Sequence, residues 1–280
     1  MNNLTNYHSH CSFCDGRAPL ETFIQAAISQ GFTSYGISSH APLPFSTRWT
    51  LEKEQVTPYL QEANSLKQKY AGEIELYIGM EIDYLNAESN PATDYFRELP
   101  LDYRIGSVHL LESLTGEIVD VDVSEERFKE LLSLHFGNDL QQTVYAYFEK
   151  NIKMIKTGGF DILGHPDKMA YNASRCQPGL LEQKWYQDLI YDYFSLIARH
   201  GLMMEINTKA YHRLGTFFPH VSHFPLIKEL GIPVMVNSDA HFPELINSGR
   251  PEALAALQKA GIREVMELHH TKWELCPIRG

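Results

Sequence analysis

His8 and His10 stand two residues apart at the end of a short run that begins at Leu4. On an extended strand, residues i and i+2 point to the same face, so the two imidazoles can share one metal ion. Asp15 follows in what reads as a loop, within reach of a neighbouring ion. The same residue types recur along the chain at His40, Glu81, His109, His165, Asp239 and His241. Mixed imidazole and carboxylate ligation suits zinc, manganese or iron, not calcium or magnesium alone. Nine donors exceed what two four-coordinate ions need without sharing, so two to three divalent transition-metal ions are expected. Any one of these histidines would pass for an ordinary partly buried residue. Together they do not, because unpaired imidazoles and carboxylates clustered in a core would be costly.

What must position them is a series of strand and helix patterns alternating along the chain. The apolar runs predict strands near Leu4–His8, Phe32–Ser38, Ile74–Met80, Tyr103–Val108, Phe160–Gly164, Leu202–Asn207 and Ile232–Ser238. Helices are predicted from about Pro19 to Gln30, Thr50 to Tyr70, Asn90 to Glu98, Ser124 to His135 and Asp139 to Thr157. Further helices follow at about Leu180–His200, Phe224–Leu230 and Pro251–Ala260, with a final short run at Glu264–Leu268. Gly31, Gly158, Gly159 and Gly201 punctuate the joints, and Gly116–Val121 reads as an extra hairpin arm. Seven strand–helix repeats imply an α/β fold with parallel strands and helices outside. A closed or nearly closed barrel with about one strand fewer than eight fits best, and an open sheet is the alternative that periodicity leaves standing. In a barrel the C-terminal strand ends converge on one face. Every strand but the sixth ends in an imidazole or carboxylate, so six strands would aim the donors at one cavity.

Residues 1–280 show no linker or composition break and read as a single domain. The apolar fraction of 44% allows a substantial core. A net charge of −11 argues against a nucleic-acid partner, and would also repel a small anionic substrate unless bound cations reverse the local field. Four cysteines make no disulfide scaffold. With no signal-like or membrane-spanning run, a cytoplasmic protein without membrane contact is expected.

The motifs His8-Ser-His10 with Asp15-Gly16, Ser39-His40-Ala41-Pro42, Gly79-Met80-Glu81, Gly106-Ser-Val-His109, Gly164-His165-Pro166-Asp167 and Ser238-Asp239-Ala240-His241 occur in that order from residue 7 to 241. As a set they resemble the PHP (polymerase and histidinol phosphatase) superfamily. His40-Ala-Pro-Leu-Pro44, Glu81-Ile-Asp-Tyr84 and Glu205-Ile-Asn-Thr208 resemble its stand-alone L-histidinol-phosphate phosphatases more than its polymerase-associated domains. The resemblance implies a distorted (β/α)7 barrel with three metal positions. His8, His10, Glu81 and Asp239 would hold one ion; Glu81 would bridge to a second, completed by His109 and His165; Asp15, His40 and His241 would hold a third. Glu81, Asp239 and His241 are the expected catalytic members of this set.

The activity implied is hydrolysis of a small phosphomonoester, L-histidinol phosphate, to L-histidinol and phosphate in histidine biosynthesis. A metal-bridging hydroxide would attack phosphorus in line. The alternatives are a phosphodiesterase or nuclease on the same centre, or a phosphatase of another small phosphomonoester. Arg213 is the first expected phosphate-binding residue, by match to an arginine following the Glu-Ile-Asn-Thr motif, with Lys168 and Lys209 on the same face. Asp83, Asp167 or an acidic group near the mouth would receive the substrate's ammonium, with no basis in sequence for choosing. His212, His220 and His223 share the loop after the sixth strand, within possible reach of substrate. His135 and His200 read as helix C-terminal residues, and His269 and His270 as surface residues. Asp120-Val-Asp122 reads as a solvated strand, and Cys11-x-x-Cys14 as incidental.

Overall fold

The computed structural model describes residues 3–279. Its strands are β1 (Thr5–Asn6), β2 (Ser34–Ile37), β3 (Glu75–Asp83), β4 (Tyr103–Ser107), β5 (Leu110–Glu112), β6 (Ile118–Asp120), β7 (Ile162–Leu163), β8 (Met203–Asn207), β9 (Val234–Asn237), β10 (Glu264–His269) and β11 (Lys272–Pro277). Seven of them form one all-parallel sheet in the order β1-β2-β3-β4-β7-β8-β9. The sheet curls until its edges meet. Tyr7 N–H donates to Asn237 Oδ1 (2.9 Å), Ser238 N–H to Asn6 Oδ1 (2.7 Å), and Ser9 bridges Ala240 in parallel. The seam between β1 and β9 is therefore clasped largely by two asparagine side chains in place of a regular ladder. The result is the nearly closed seven-stranded (β/α) barrel expected from the repeats.

Helices α1 (Leu20–Ser29), α2 (Val56–Lys69), α3 (Asp94–Glu98), α4 (Glu125–His135), α5 (Leu140–Thr157), α6 (Met169–Cys176), α7 (Lys184–Arg199), α8 (Tyr211–Leu214), α9 (Phe224–Leu230) and α10 (Arg250–Lys259) connect the strands. Helices α4 and α5 start where a side chain supplies the missing acceptor. Ser124 Oγ takes the Arg127 N–H and Asp139 Oδ1 the Gln142 N–H. Pro58 falls in the first turn of α2, where no intrahelical N–H is required, so it does not interrupt that helix. The stretch expected as one helix over Leu180–His200 begins as a 3₁₀ turn, with α7 starting only at Lys184. An unforeseen short helix, α6, precedes it. Among the described residues no helix is long and apolar enough to cross a membrane.

The barrel interior is filled at its N-terminal end by Tyr7, Tyr77 and Tyr103, packed edge to face. The run at Glu264–Leu268 is half of an antiparallel hairpin, β10–β11, which plugs this mouth with Met266, Leu268 and Trp273. Leu268 N–H donates to Tyr7 Oη at 2.6 Å, tying plug to barrel. Tyr103 lies in a slot carved by two glycines on neighbouring strands: a Cβ on Gly79 would sit 2.5 Å from its ring carbons, and one on Gly36 would also collide. Overpacking of this kind costs about 1–3 kcal/mol. Gly79→Ala is therefore expected to lower the urea midpoint by a corresponding amount with an unchanged m value.

Because the N-terminal end is plugged, only the C-terminal end of the barrel is open to function.

Candidate metal centre

All nine donors predicted from sequence meet at that open end. His8, His10 and Asp239 have donor atoms within 4.8 Å of one another; so do Glu81, His109 and His165, and so do His10, Asp15, His40 and His241. Glu81 lies at the middle. Strand β3 runs two residues beyond it, so Glu81 is inside the strand, and alternation points both Glu81 and Asp83 into the barrel. Its Oε2 faces His8 Nε2 (3.1 Å), His10 Nε2 (3.5 Å) and His40 Nδ1 (2.9 Å). Its Oε1 faces His165 Nε2 (2.9 Å) and His109 Nε2 (3.4 Å). One carboxylate thus serves two groups of imidazoles.

The outer shell orients the rings. His8 Nδ1 donates to Glu205 Oε2 (2.8 Å) and His109 Nδ1 to Asp83 Oδ2 (3.0 Å), while His241 Nδ1 donates to the carbonyl oxygen of Asp239 (3.0 Å). Each of these bonds fixes a proton on the outer nitrogen and leaves Nε2 as the nitrogen that faces inward, the arrangement metal ligation requires. His8 Nε2, His10 Nε2 and Glu81 Oε2 are buried without a hydrogen bond of good geometry. Two ring nitrogens, His109 Nε2 and His165 Nε2, face each other at 3.1 Å. Such a convergence of buried lone pairs fits a cluster of divalent cations.

The electrostatics agree. Burial depresses His10, reinforced by His241 and His40, and burial also depresses His165 and His241. These rings are neutral donors. Burial would raise the Glu81 carboxyl, but His8, His40 and His109 outweigh it and hold it well below the usual carboxylate range. For His109 burial is outweighed by Asp83 and Glu81, which hold it up at about 9, and His8 is raised by Glu205, Glu81 and Asp239 against its burial. Metal uptake therefore has to displace protons from these two rings. The backbone carries strain here as well. His165 (φ 22) and Asp239 (φ 46) are non-glycine residues with positive φ, a cost of about 1–3 kcal/mol each that clusters at functional sites.

Glu205 was overlooked as a site residue because it sits mid-strand in β8 and not at a strand end. It accepts from His8 Nδ1, His165 N–H (2.8 Å), Asn207 Nδ2 (2.8 Å) and Asn237 Nδ2 (3.0 Å). A carboxylate flanked by Met203, Met204 and Ile206 in a strand is the signal that could have found it. Glu205→Gln puts an NH2 where only acceptors fit. It is expected to lower metal affinity roughly 10- to 100-fold, read as metal retained against a competing chelator.

The remaining candidates sort by position. Lys209 Nζ lies 3.2 Å from Asp239 Oδ1 and 3.5 Å from His241 Nε2. Arg213 and His212 line a cavity of about 600 Å³ together with Lys209, Asp239 and His241, and the same cavity contains Arg17, which the sequence reading missed. Lys168 is committed to Asp122 at 2.6 Å. Neither acidic residue expected to receive an ammonium is free to do so at the centre. Asp83 is occupied by the His109 ring and its backbone N–H. Asp167 is buried beside a separate cavity of about 290 Å³, its carboxyl pushed up to about 7 by burial. His220 and His223 lie near Asp167 and not at the metal donors. His135 and His200 sit at helix ends as expected, while His269 is half-buried against Glu267. Asp120 closes the hairpin β5–β6 and Asp122 lies just past it, and both border the metal centre and are not merely solvated. Cys14 is less incidental than expected, its Sγ lying 3.6 Å from His10 Nδ1.

A family model described as the PHP domain matches residues 6–209. The chain belongs to the PHP domain family. A Schizosaccharomyces pombe protein named "Probable histidinol-phosphatase" is 29% identical over 269 residues, covering 91% of this PHP chain and 86% of that protein. Among solved structures, a Listeria monocytogenes protein superposes with a TM-score of 0.78 at 24% identity, covering 89% of this chain and 99% of that one. The histidinol phosphate phosphatase of Lactococcus lactis, crystallised with zinc, L-histidinol and phosphate, gives 0.71 at 17% identity, covering 97% and 99%. These superpositions place the chain in the PHP barrel fold.

Proposed function

We propose that residues 1–280 form a single metallophosphatase domain that hydrolyses L-histidinol phosphate to L-histidinol and phosphate, the phosphatase step of histidine biosynthesis. The observation that carries this reading is the set of three adjoining donor groups, two of which share His10 and all of which have a ring within reach of Glu81. It opens beside a cavity lined by Arg17, Lys209 and Arg213. The relatives' names supply the substrate. His8, His10, Glu81 and Asp239 would hold one ion, Glu81, His109 and His165 a second, and Asp15, His40 and His241 a third. Zinc is the first expectation, with manganese or iron accepted by the same donors. Ions held there supply Lewis acidity toward phosphoryl oxygens and an activated water nucleophile.

The chain's own residues do the rest. Glu81 and Asp239, ionised at neutral pH, fix the positive charge of the centre between them. Glu205 and Asp83 keep His8 and His109 in the tautomer that presents Nε2. Lys209, Arg213 and Arg17 offset the charge of the phosphate, which the net charge of −11 would otherwise repel. Steady-state assays of the metal-loaded protein on L-histidinol phosphate, 4-nitrophenyl phosphate and a single-stranded oligonucleotide test the reading. A clear preference for the first is expected; equal turnover of the first two, or cleavage of the third, would overturn it.

A further inference from the structure

A cavity of about 130 Å³ at the metal donors is lined by Asp120 and Asp122 together with Trp49, His109 and Lys209. The hairpin that carries Asp120, and the segment after it that carries Asp122, are held in place. Val121 N–H donates to the His109 carbonyl (2.9 Å), and Lys150 Nζ to the Leu110 carbonyl (2.7 Å). The two carboxylates differ in their compensation. Asp122 is paired with Lys168. Among the described residues Asp120 has no ion-pair partner, and its one bond is from the Asp122 N–H to Oδ1 (2.9 Å). The Trp49 indole lines the same cavity, its ring 4.8 Å from that of His40 and 5.4 Å from that of His109.

A carboxylate in this place repels the phosphate, so it does not serve that end of the substrate. A carboxylate and an aromatic ring that line one cavity can together receive an organic cation. L-Histidinol phosphate carries its ammonium on the carbon next to the ester carbon. When the phosphate is at the metal donors, that group must therefore lie within a few bonds of them, which is where Asp120 is. We infer that Asp120, in the cavity it shares with Trp49, receives the α-ammonium of the substrate and sets a preference for phosphomonoesters of amino alcohols. The inference rests on the proposed function and names the recognition residue within it.

Asp120→Asn is the informative variant, because its side-chain oxygen keeps the bond from the Asp122 N–H while the charge is removed. Metal-loaded wild type and variant would be assayed on L-histidinol phosphate, on the same ester lacking the amino group, and on 4-nitrophenyl phosphate. Metal content would be measured by mass spectrometry and L-histidinol binding by calorimetry. The expected result is a KM for L-histidinol phosphate raised roughly 10- to 100-fold with kcat within about threefold. The preference over the amine-free ester should shrink by the same factor. L-Histidinol binding should weaken in parallel at unchanged metal content. An equal loss on all three esters, a loss of metal, or no change in the preference would each overturn the inference while leaving the functional reading intact. A wild type indifferent to L-histidinol phosphate would overturn both.

Discussion

Glu81→Gln is expected to lower kcat/KM by at least about 10³-fold, a loss on the order of 4 kcal/mol in transition-state stabilisation. The size follows from the number of groups that depend on one carboxylate. Its two oxygens lie within 3.5 Å of ring nitrogens from five histidines, His8, His10, His40, His109 and His165. Glutamine has nearly the same shape but no charge, and its NH2 would confront rings that offer a proton or a lone pair already committed elsewhere. The metal content of the purified variant should fall with its activity. A variant that kept both would show that the carboxylate is not the shared donor. His241→Ala and Asp15→Ala, by contrast, remove donors from the outer group only and should cost about one equivalent of metal each.

The second large effect is that of stripping the ions. Dialysis against a strong chelator should abolish activity, and zinc or manganese should restore it. The stripped chain should also be less stable. A ligand present at a thousand times its Kd contributes about 4 kcal/mol. For a chain of this size that corresponds to a Tm lower by roughly 8–16 °C. Proton competition gives the pH dependence its sign. Uptake must displace a proton from His109, whose pKa is raised to about 9, so affinity should rise with pH toward that value and proton release should be measurable below it. A flat affinity over that range would mean that the Asp83–His109 pair does not sit beside the ion.

Much of this was legible in the sequence because the donors are placed by strand ends, and strand ends are marked by where apolar runs stop. His40, His109, His165 and Asp239 were found in that way. The sequence was less informative where the physics is not periodic. Glu205 and Asp83 are buried carboxylates whose roles depend on which ring lies across the barrel, a matter of closure and not of local pattern. Arg17 and Asp120 reach the site from segments that read as loop and solvated arm. The second half of the C-terminal hairpin, Lys272–Pro277, alternates weakly because only Trp273 packs inward, so nothing in its composition announced a plug. Strand lengths were overestimated at β1 and β7, where two residues suffice because the ladder is short and side chains take over the pairing.

The clasp between Asn6 and Asn237 joins positions 231 residues apart along the chain, since the Ser238 N–H meets Asn6 and the Tyr7 N–H meets Asn237. Contacts of such span form late in folding, because the loop-closure entropy must be met first. During synthesis His8 and His10 emerge long before Asp239 and His241 and remain an unsupported pair until those two have been made. No nascent chain that ends before residue 241 carries the whole donor set. The protein therefore commits to its ions only once both ends of the donor set exist, and a product truncated before His241 has no complete site in which to sequester them.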